Sequence, residues 1–79
     1  MSLALCVHRA DNVATLLEDS AAGSVGLLGL PAQASIQAIE AISRGHKVAL
    51  VPLAAGEAVV KFGVPIGRAT AAIAAGAWV

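Results

Sequence analysis

The sequence predicts a small β-rich domain, and two features of the chain support this fold class. Short apolar runs recur along its 79 residues and are separated by glycine and proline, which is typical of short strands joined by tight turns. A pattern of the form apolar-x-x-Gly-x-x-Val also occurs three times, with a weaker fourth copy, at residues 42–48, 53–59, 73–79 and 20–25. Glycine tolerates positive φ, so each copy predicts a sharp turn that runs on as a strand.

The first two elements are predicted to be a strand and a short helix. Residues 3–8 form an alternating run that predicts a strand. Asp11 or Asn12 can cap a helix, because their short side chains reach free backbone N–H groups. Apolar residues at positions 13, 16 and 17 then lie on one helical face. We therefore expect a helix of two short turns near residues 12–18.

The middle of the chain allows more than one interpretation. Residues 24–31 are apolar and rich in glycine, and they predict a strand with a bend at Gly29 or Pro31. Two structures remain open for residues 35–44. Isoleucine recurs there at every third position, which favours a helix of about ten residues. The shortness of the run, its β-branched residues and the glycine turn that follows favour a strand with a bulge.

The second half of the chain predicts three further strands. Residues 48–51 are typical of a buried strand, which Pro52 ends because proline cannot donate to a sheet ladder. Residues 58–62 form the next strand, a turn containing glycine and proline follows, and residues 66–71 form the last strand.

Length and composition predict one small domain, residues 1–79, that depends on partners. A chain of this size buries only roughly 60% of its unfolded surface. Cys6 is the only cysteine, so no internal disulfide can form, and we expect a buried, inert thiol. Hydrophobic residues make up 58% of the chain. Small domains of this kind gain support from partner surfaces, so we predict a homo-oligomer or a part of a larger assembly.

Charge and hydropathy argue against nucleic-acid and membrane partners. Five basic and five acidic residues cancel, and Phe62 and Trp78 are the only aromatic residues that could stack on bases. Residues 20–39 carry no charge and are about long enough for a bilayer helix, but their glycines, proline, serines and glutamines are unsuited to one. The sequence opens without a basic region and apolar run, so we predict no signal peptide and a cytoplasmic protein.

His46 and Lys47 are the leading candidates for chemistry. Among the copies of the repeat, the one at residues 42–48 alone replaces bland residues with Arg44, His46 and Lys47. An imidazole can exchange protons near neutral pH or bind a metal, and an ammonium group can hold a substrate carboxylate. The alternative is a polar turn in solvent, where such residues are common.

A second group of polar residues follows the first strand. His8, Asp11 and Asn12 place an imidazole, a carboxylate and an amide within five residues, and Lys61 lies in a later strand. The alternatives are a helix cap for Asp11 or Asn12 and an outward-pointing side chain for Lys61. Two histidines and one aspartate could form a metal site if the fold joins them, but neither His-Glu-x-x-His nor Cys-x-x-Cys occurs, so the sequence carries no metal signature and we assign no metal ligand in this domain.

Several stretches together resemble the N-terminal SAF domain of the altronate dehydratase and galactarate dehydratase family. They are Gly-His-Lys-Val-Ala at residues 45–49, Gly-Glu-x-Val-x-Lys-Phe-Gly at residues 56–63 and Ile-Gly at residues 66–67. Residues 8–14 are similar to the family's opening His-Pro-x-Asp-Asn-Val-Ala, with arginine in place of the proline. Residues 24–42 match the family poorly.

The resemblance implies a mainly β fold of the β-clip (SAF) type, a folded ribbon of short strands, to which we add the one short helix near residues 12–18. In such a fold residues 35–44 form strand rather than helix. Family members continue past the last glycine turn into a His-rich stretch. We therefore expect the chain to be a cut-out domain or a shortened small subunit of a larger enzyme.

The resemblance also implies a function. Members of the family dehydrate sugar acids such as altronate or galactarate, and a related branch eliminates sulfite from sulfolactate. A separate large domain or subunit, the expected partner, is thought to hold iron or manganese. By resemblance, two residues are expected to be catalytic, His46 and Lys47, and four to bind the substrate, His8, Asp11, Asn12 and Lys61. The competing interpretation is a non-catalytic module for assembly or for binding acidic sugars.

Overall fold

Every regular element of the chain is a strand in the part that the computed structural model describes, residues 2–30 and 33–79. The prediction of a mainly β domain is therefore confirmed. The seven strands are β1 (Ser2–Cys6), β2 (Val13–Leu16), β3 (Gly23–Gly29), β4 (Ser35–Ala38), β5 (Lys47–Ala49), β6 (Ala58–Lys61) and β7 (Val64–Arg68). Within these described ranges no helix is long and apolar enough to cross a membrane.

The strands form two sheets. Five of them lie in the order β4-β3-β1-β2-β5, so the first strand of the chain is the central one. The pair β1–β3 is parallel, and the other pairs in this sheet are antiparallel. Strands β6 and β7 form a separate antiparallel hairpin with a bulge at Val59 and Val60. The described residues thus form one main sheet and one projecting hairpin.

The predicted helix near residues 12–18 is wrong, because Val13–Leu16 forms strand β2. This strand pairs on both sides, with Thr15 opposite Leu5 of β1 and opposite Lys47 of β5. Val13 packs in one apolar cluster and Leu16 in another, each with 1% of its surface exposed. A strand that is buried on both faces has apolar residues at nearly every position. Its apolar residues at positions 13, 16 and 17 therefore also fit the spacing of a helical face.

Residues 35–44 contain a strand and no helix, as the strand interpretation predicted. Ser35–Ala38 forms β4, which pairs antiparallel with β3. The regular spacing of the isoleucines does not mark one face, because Ile42 is buried whereas Ile39 is 59% exposed. A helix would have placed both on the same side.

The three full copies of the repeat adopt the same turn. In each, the N–H after the glycine donates to the carbonyl three residues earlier, and the glycine lies at φ 84–85°. This is the arrangement of a type II turn, which requires positive φ at its third residue. The bonds are His46 to Ser43 (3.1 Å), Glu57 to Ala54 (3.0 Å) and Ala77 to Ala74 (3.1 Å).

The four copies of the repeat pair two by two. The first residue of the weak copy, Ser20, bridges Ile42, and Leu53 bridges Ile73, each pair antiparallel and closed by two backbone hydrogen bonds of 2.8–2.9 Å. Each copy of the repeat therefore contains a first residue that pairs with another copy, and the three full copies also form the same glycine turn.

Two apolar clusters lie on opposite sides of β2. The larger one gathers side chains from all five strands of the main sheet and includes Cys6, which is buried as expected. The smaller one joins Val13 to the hairpin and to the turns around Leu53 and Ile73. Strand β3 ends at Gly29 with φ 101°, as the predicted bend requires; Pro31, the other predicted bend position, lies outside the described residues.

Candidate functional site

The candidate residues lie at two opposite ends of the main sheet. Strands β1 and β5 both run antiparallel to β2, so they run in the same direction. His46 precedes β5, whereas His8 follows β1. The N–H of Leu50, the residue after β5, donates to the carbonyl of Asn12 at 2.9 Å. Four residue steps of extended chain therefore separate His46 from the level of Asn12, which is about 13 Å.

The His46 end contains a small open pocket of about 110 Å³. Its lining residues are Ala41, Ile42, Ser43, His46 and Trp78. The imidazole of His46 packs against the indole of Trp78 with the ring centroids 5.3 Å apart and the planes at 82°. The pocket thus combines an apolar floor, a hydroxyl group, an aromatic wall and a solvent-exposed imidazole.

Strand pairing brings Trp78 to His46. Trp78 bridges Val48 of β5 in antiparallel register, and the N–H of Val79 donates to the carbonyl of Lys47 at 3.0 Å. The N–H of Trp78 itself donates to the Glu40 carboxylate at 3.1 Å. Sequence reasoning missed Trp78 as a site residue. The available signal was the repeat, since the third copy carries a large aromatic residue where the others do not.

Lys47 and Arg44 lie beside the pocket but do not line it. His46 lies in the glycine turn, whereas Lys47 begins strand β5 and is half-buried. Arg44 is exposed, and its backbone N–H donates to the Asp19 carboxylate at 2.9 Å. The structure therefore brings His46 together with Ser43 and Trp78 rather than with Lys47.

The hairpin end consists of His8, Asp11, Asn12 and the tip of the β6–β7 hairpin, Lys61–Gly63. Asp11 holds this end together: one carboxylate oxygen accepts the N–H of Gly63 at 2.7 Å, and the other accepts the N–H of His8 at 3.2 Å. Burial by itself would raise the pKa of the Asp11 carboxyl, but backbone N–H groups from both segments lower that pKa below its ordinary value.

Asn12 joins the main sheet to the hairpin through its side chain. Its amide group donates to the carbonyl of Ala58 at 2.9 Å, and its side-chain oxygen accepts the N–H of Val60 at 2.8 Å. Both ends of the amide are therefore used by strand β6, in the way that a neighbouring strand would use its backbone. Asn12 caps the hairpin instead of the expected helix.

His8 and Lys61 complete the hairpin end. The Nδ1 atom of His8 accepts the N–H of Ala10 at 3.0 Å, and its ring lies against Gly63, where a Cβ would come within 2.7–2.9 Å of ring atoms. The Lys61 ammonium lies 4.8 Å from the centroid of Phe62. Phe62 adopts φ 55°, a left-handed conformation that costs a non-glycine residue about 1 kcal/mol or more.

The Cys6 thiol is buried next to the Asp11 carboxylate. Burial raises the pKa of the Cys6 thiol, and the Asp11 carboxylate 3.8 Å away acts in the same direction, so the thiolate is disfavoured. Within residues 2–30 and 33–79, no three His, Cys, Asp or Glu side chains are close enough to hold a metal ion.

The six site residues predicted from the sequence thus separate into two groups. His8, Asp11, Asn12 and Lys61 come together at the hairpin end, and His46 and Lys47 lie at the other. The two groups are separated by about 13 Å along strand β5, so the structure does not bring all six residues into one cluster.

A small, mainly β domain with a pocket beside a glycine turn is the class of protein that the fold and the site define. Residues 2–79 match the family described as the altronate/galactarate dehydratase SAF domain. The chain belongs to this family.

Full-length enzymes are among the similar proteins. Altronate dehydratase from Escherichia coli (strain K12) is 41% identical over 70 residues, which are 89% of this chain and 14% of that protein. Galactarate dehydratase (L-threo-forming) from the same strain is 36% identical over 73 residues, 92% of this chain and 13% of that protein. Altronate dehydratase from Bacillus subtilis (strain 168) is 37% identical over 71 residues, which are 89% of this chain and 14% of that protein. The chain thus spans about one seventh of each relative.

Proposed function

We propose that the chain is the SAF domain of a sugar-acid hydro-lyase and that its His46 end contributes to an active site completed by a separate large domain or subunit. The observation that carries this proposal is the exposed His46 imidazole in a pocket with Ser43 and Trp78. Family membership supports the reaction class, because the relatives are named altronate and galactarate dehydratases. The matched region is only 13–14% of each relative, which supports a division of the machinery between domains.

The proposed reaction is the loss of water from a hydroxy acid. A base removes the proton on the carbon beside the carboxylate, and the electrons of that C–H bond form a carbon–carbon double bond. The hydroxyl on the next carbon leaves with its bonding electrons and takes up a proton to become water. An imidazole can serve as the base or as the acid near neutral pH, so His46 is assigned one of these two proton transfers.

Lys47 is proposed to hold the substrate carboxylate. The four-carbon stem of a lysine gives its ammonium group a wide reach, which supports a role for Lys47 at the rim of the pocket. A contact that is made equally in the ground and transition states affects KM alone. Lys47→Ala in the complete enzyme should therefore raise KM with kcat little changed. An unchanged KM would remove Lys47 from the site.

The hairpin end has a different role in this proposal. Asp11 and Asn12 use their polar atoms to bind the hairpin backbone, so we assign them to the fold. His8 and Lys61 lie at the hairpin end and do not line the His46 pocket, so we assign neither proton transfer to them. Iron or manganese is proposed to lie in the large domain, and every step assigned to this chain uses its own side chains.

Separating the chain from its proposed partner tests the division of labour. Residues 1–79 alone, supplied with iron or manganese, should form no product from altronate or galactarate, whereas the complete enzyme should turn over one of them. Circular dichroism would verify that the isolated domain is folded. Clear product from residues 1–79 alone would contradict the proposed need for a large domain.

A second candidate function is a module for assembly. The hairpin favours it, because Phe62, Val64 and Ile66 are each at least half exposed and occupy alternate positions along the hairpin tip and strand β7. Surface apolar groups of this kind mark contacts with other proteins. The two candidates differ in what His46 does, so a variant at that residue separates them.

A further inference from the structure

Trp78 is the aromatic wall of the His46 pocket, and its backbone is held in place on both sides. Its N–H donates to the Glu40 carboxylate at 3.1 Å, and the residue bridges Val48 of strand β5. The N–H of the next residue, Val79, donates to the carbonyl of Lys47 at 3.0 Å. A side chain presented from such a ladder has a defined position, as a binding site requires.

Trp78 as a whole residue is 53% exposed although its indole contacts His46. The 82° angle between the two rings means that they meet edge to face, which is a favourable arrangement for aromatic pairs and leaves much of the larger ring uncovered. An exposed indole on its own is unremarkable in a protein. Here it faces a pocket together with an imidazole and a hydroxyl group, and that combination is typical of a small-molecule site.

We infer that Trp78 is a substrate-contacting residue, whose indole packs against the C–H groups at the carboxylate end of a linear polyhydroxy acid. This inference rests on the proposed function. A pocket of about 110 Å³ holds roughly the volume of four water molecules. That space suits a carboxylate and the carbons next to it, and the rest of the molecule would extend out of the open side.

The lining of the pocket matches the two kinds of group on such a molecule. The chain of a polyhydroxy acid presents C–H groups between its hydroxyls, and these pack favourably on apolar surface such as Trp78, Ala41 and Ile42. The hydroxyls and the carboxylate need hydrogen bonds, which the Ser43 hydroxyl and the His46 imidazole can make. An aromatic wall therefore fixes where the reacting carbon lies relative to His46.

Binding measurements on the complete enzyme test this inference, with altronate and galactarate as the probes. Trp78→Leu keeps apolar bulk but removes the aromatic ring, and Trp78→Phe keeps a ring. Calorimetric titration should show binding weakened roughly tenfold in Trp78→Leu and restored to within about threefold in Trp78→Phe, as expected for loss and recovery of aromatic packing. Phe62→Leu, a matched change at the hairpin end, should bind as the parent does.

Two results would overturn the inference. One is binding by Trp78→Leu within about twofold of the parent, a change smaller than the loss of an aromatic contact predicts. The other is a loss of thermal stability in Trp78→Leu with unchanged binding, which would make Trp78 a packing contact with the rest of the enzyme. Turnover of His46→Gln, measured in parallel, reports on the proposed function separately, because binding does not require a proton transfer.

Discussion

The two ends of the main sheet use the same kinds of side chain in opposite ways. At the hairpin end, the Asp11 carboxylate and the Asn12 amide bind backbone groups of the neighbouring segment, and the imidazole of His8 accepts a backbone N–H. At the His46 end, the imidazole is exposed to solvent and meets the indole of Trp78 in an edge-to-face contact. Polar groups that are fully bonded within the fold stabilise it, whereas exposed ones in a pocket remain free for a ligand.

Clustering of candidate residues does not by itself identify a functional site. Four of the six candidate residues gather at the hairpin end, yet two of them are occupied by the fold. The bonds from Asp11 and Asn12 attach the hairpin to the main sheet, next to the smaller apolar cluster that contains Val13 and Val59. Substitutions at the two ends should therefore have separable effects on turnover and on stability.

The largest expected effect is on turnover at the His46 end. His46→Gln in the complete enzyme should lower kcat about 10²-fold or more, because general acid–base catalysis contributes about that much. Its stability should stay within about 0.5 kcal/mol of the parent, as for other exposed residues. Arg44→Gln is the control, since Arg44 is bonded through its backbone. Turnover of His46→Gln within about threefold of the parent would show that the turn is structural and favour the assembly module.

The next effect is on stability at the hairpin end. Asn12→Ala removes two hydrogen bonds of 2.8–2.9 Å and leaves their half-buried partners on β6 without replacement. The free energy of unfolding should fall by about 2–3 kcal/mol, measured by urea denaturation, with kcat per folded molecule unchanged. Gln37→Ala, which shortens an exposed amide, serves as the control and should change little. A loss of kcat without a loss of stability would assign Asn12 to the active site instead.

A pair of glycine substitutions measures how tightly His8 is packed. Gly56 and Gly63 both have positive φ, at 85° and 73°, but a Cβ on Gly56 would meet nothing within 4 Å. Gly56→Ala should therefore cost only the left-handed conformation, about 1–2 kcal/mol. Gly63→Ala should cost about 1 kcal/mol more, because its Cβ would overlap the His8 ring. Equal losses in thermal denaturation would mean that the His8 ring moves aside freely.

The smallest expected effect is the pH dependence that Asp11 confers. Its pKa in the folded state is lowered from the ordinary value of 3.8, so the folded state binds this proton less readily than the unfolded state does. The stabilisation is therefore complete above about pH 4 and is lost as the pH falls through the lowered pKa. Asp11→Asn should flatten the acid side of the stability curve, measured as the free energy of unfolding against pH. Identical slopes in Asp11→Asn and the parent would contradict the assignment.

Much of the fold could be predicted from the sequence because its turns are local. The glycine repeat specified three identical turns, since positive φ at one residue and a bond across four residues require no distant partner. The apolar run at residues 13–17 was misread as a helix for the opposite reason. Its conformation is decided by pairing with β1 on one side and β5 on the other. The spacing of apolar residues within the run does not indicate those pairing partners.

The candidate site could be predicted only in part, for a similar reason. His46 was identified because its copy of the repeat carries basic residues at positions where the other copies mostly carry small ones. Its neighbour in the pocket, Trp78, comes from another copy through the bridge between Val48 and Trp78, which no local pattern displays. The expected helix cap at Asp11 and Asn12 proved to be a cap on a hairpin, because side-chain amides and carboxylates bind free backbone groups in either setting.

The pairing of the repeats has a consequence for how the chain folds. Each turn closes by a bond between residues three apart and can form on the submicrosecond scale of short loops. The bridges between copies, and the parallel pair β1–β3, join residues far apart in sequence and must wait for slower chain closure. The turns can therefore form before the sheet does, and the bridge residue carried by each turn would then limit the registers in which the strands pair.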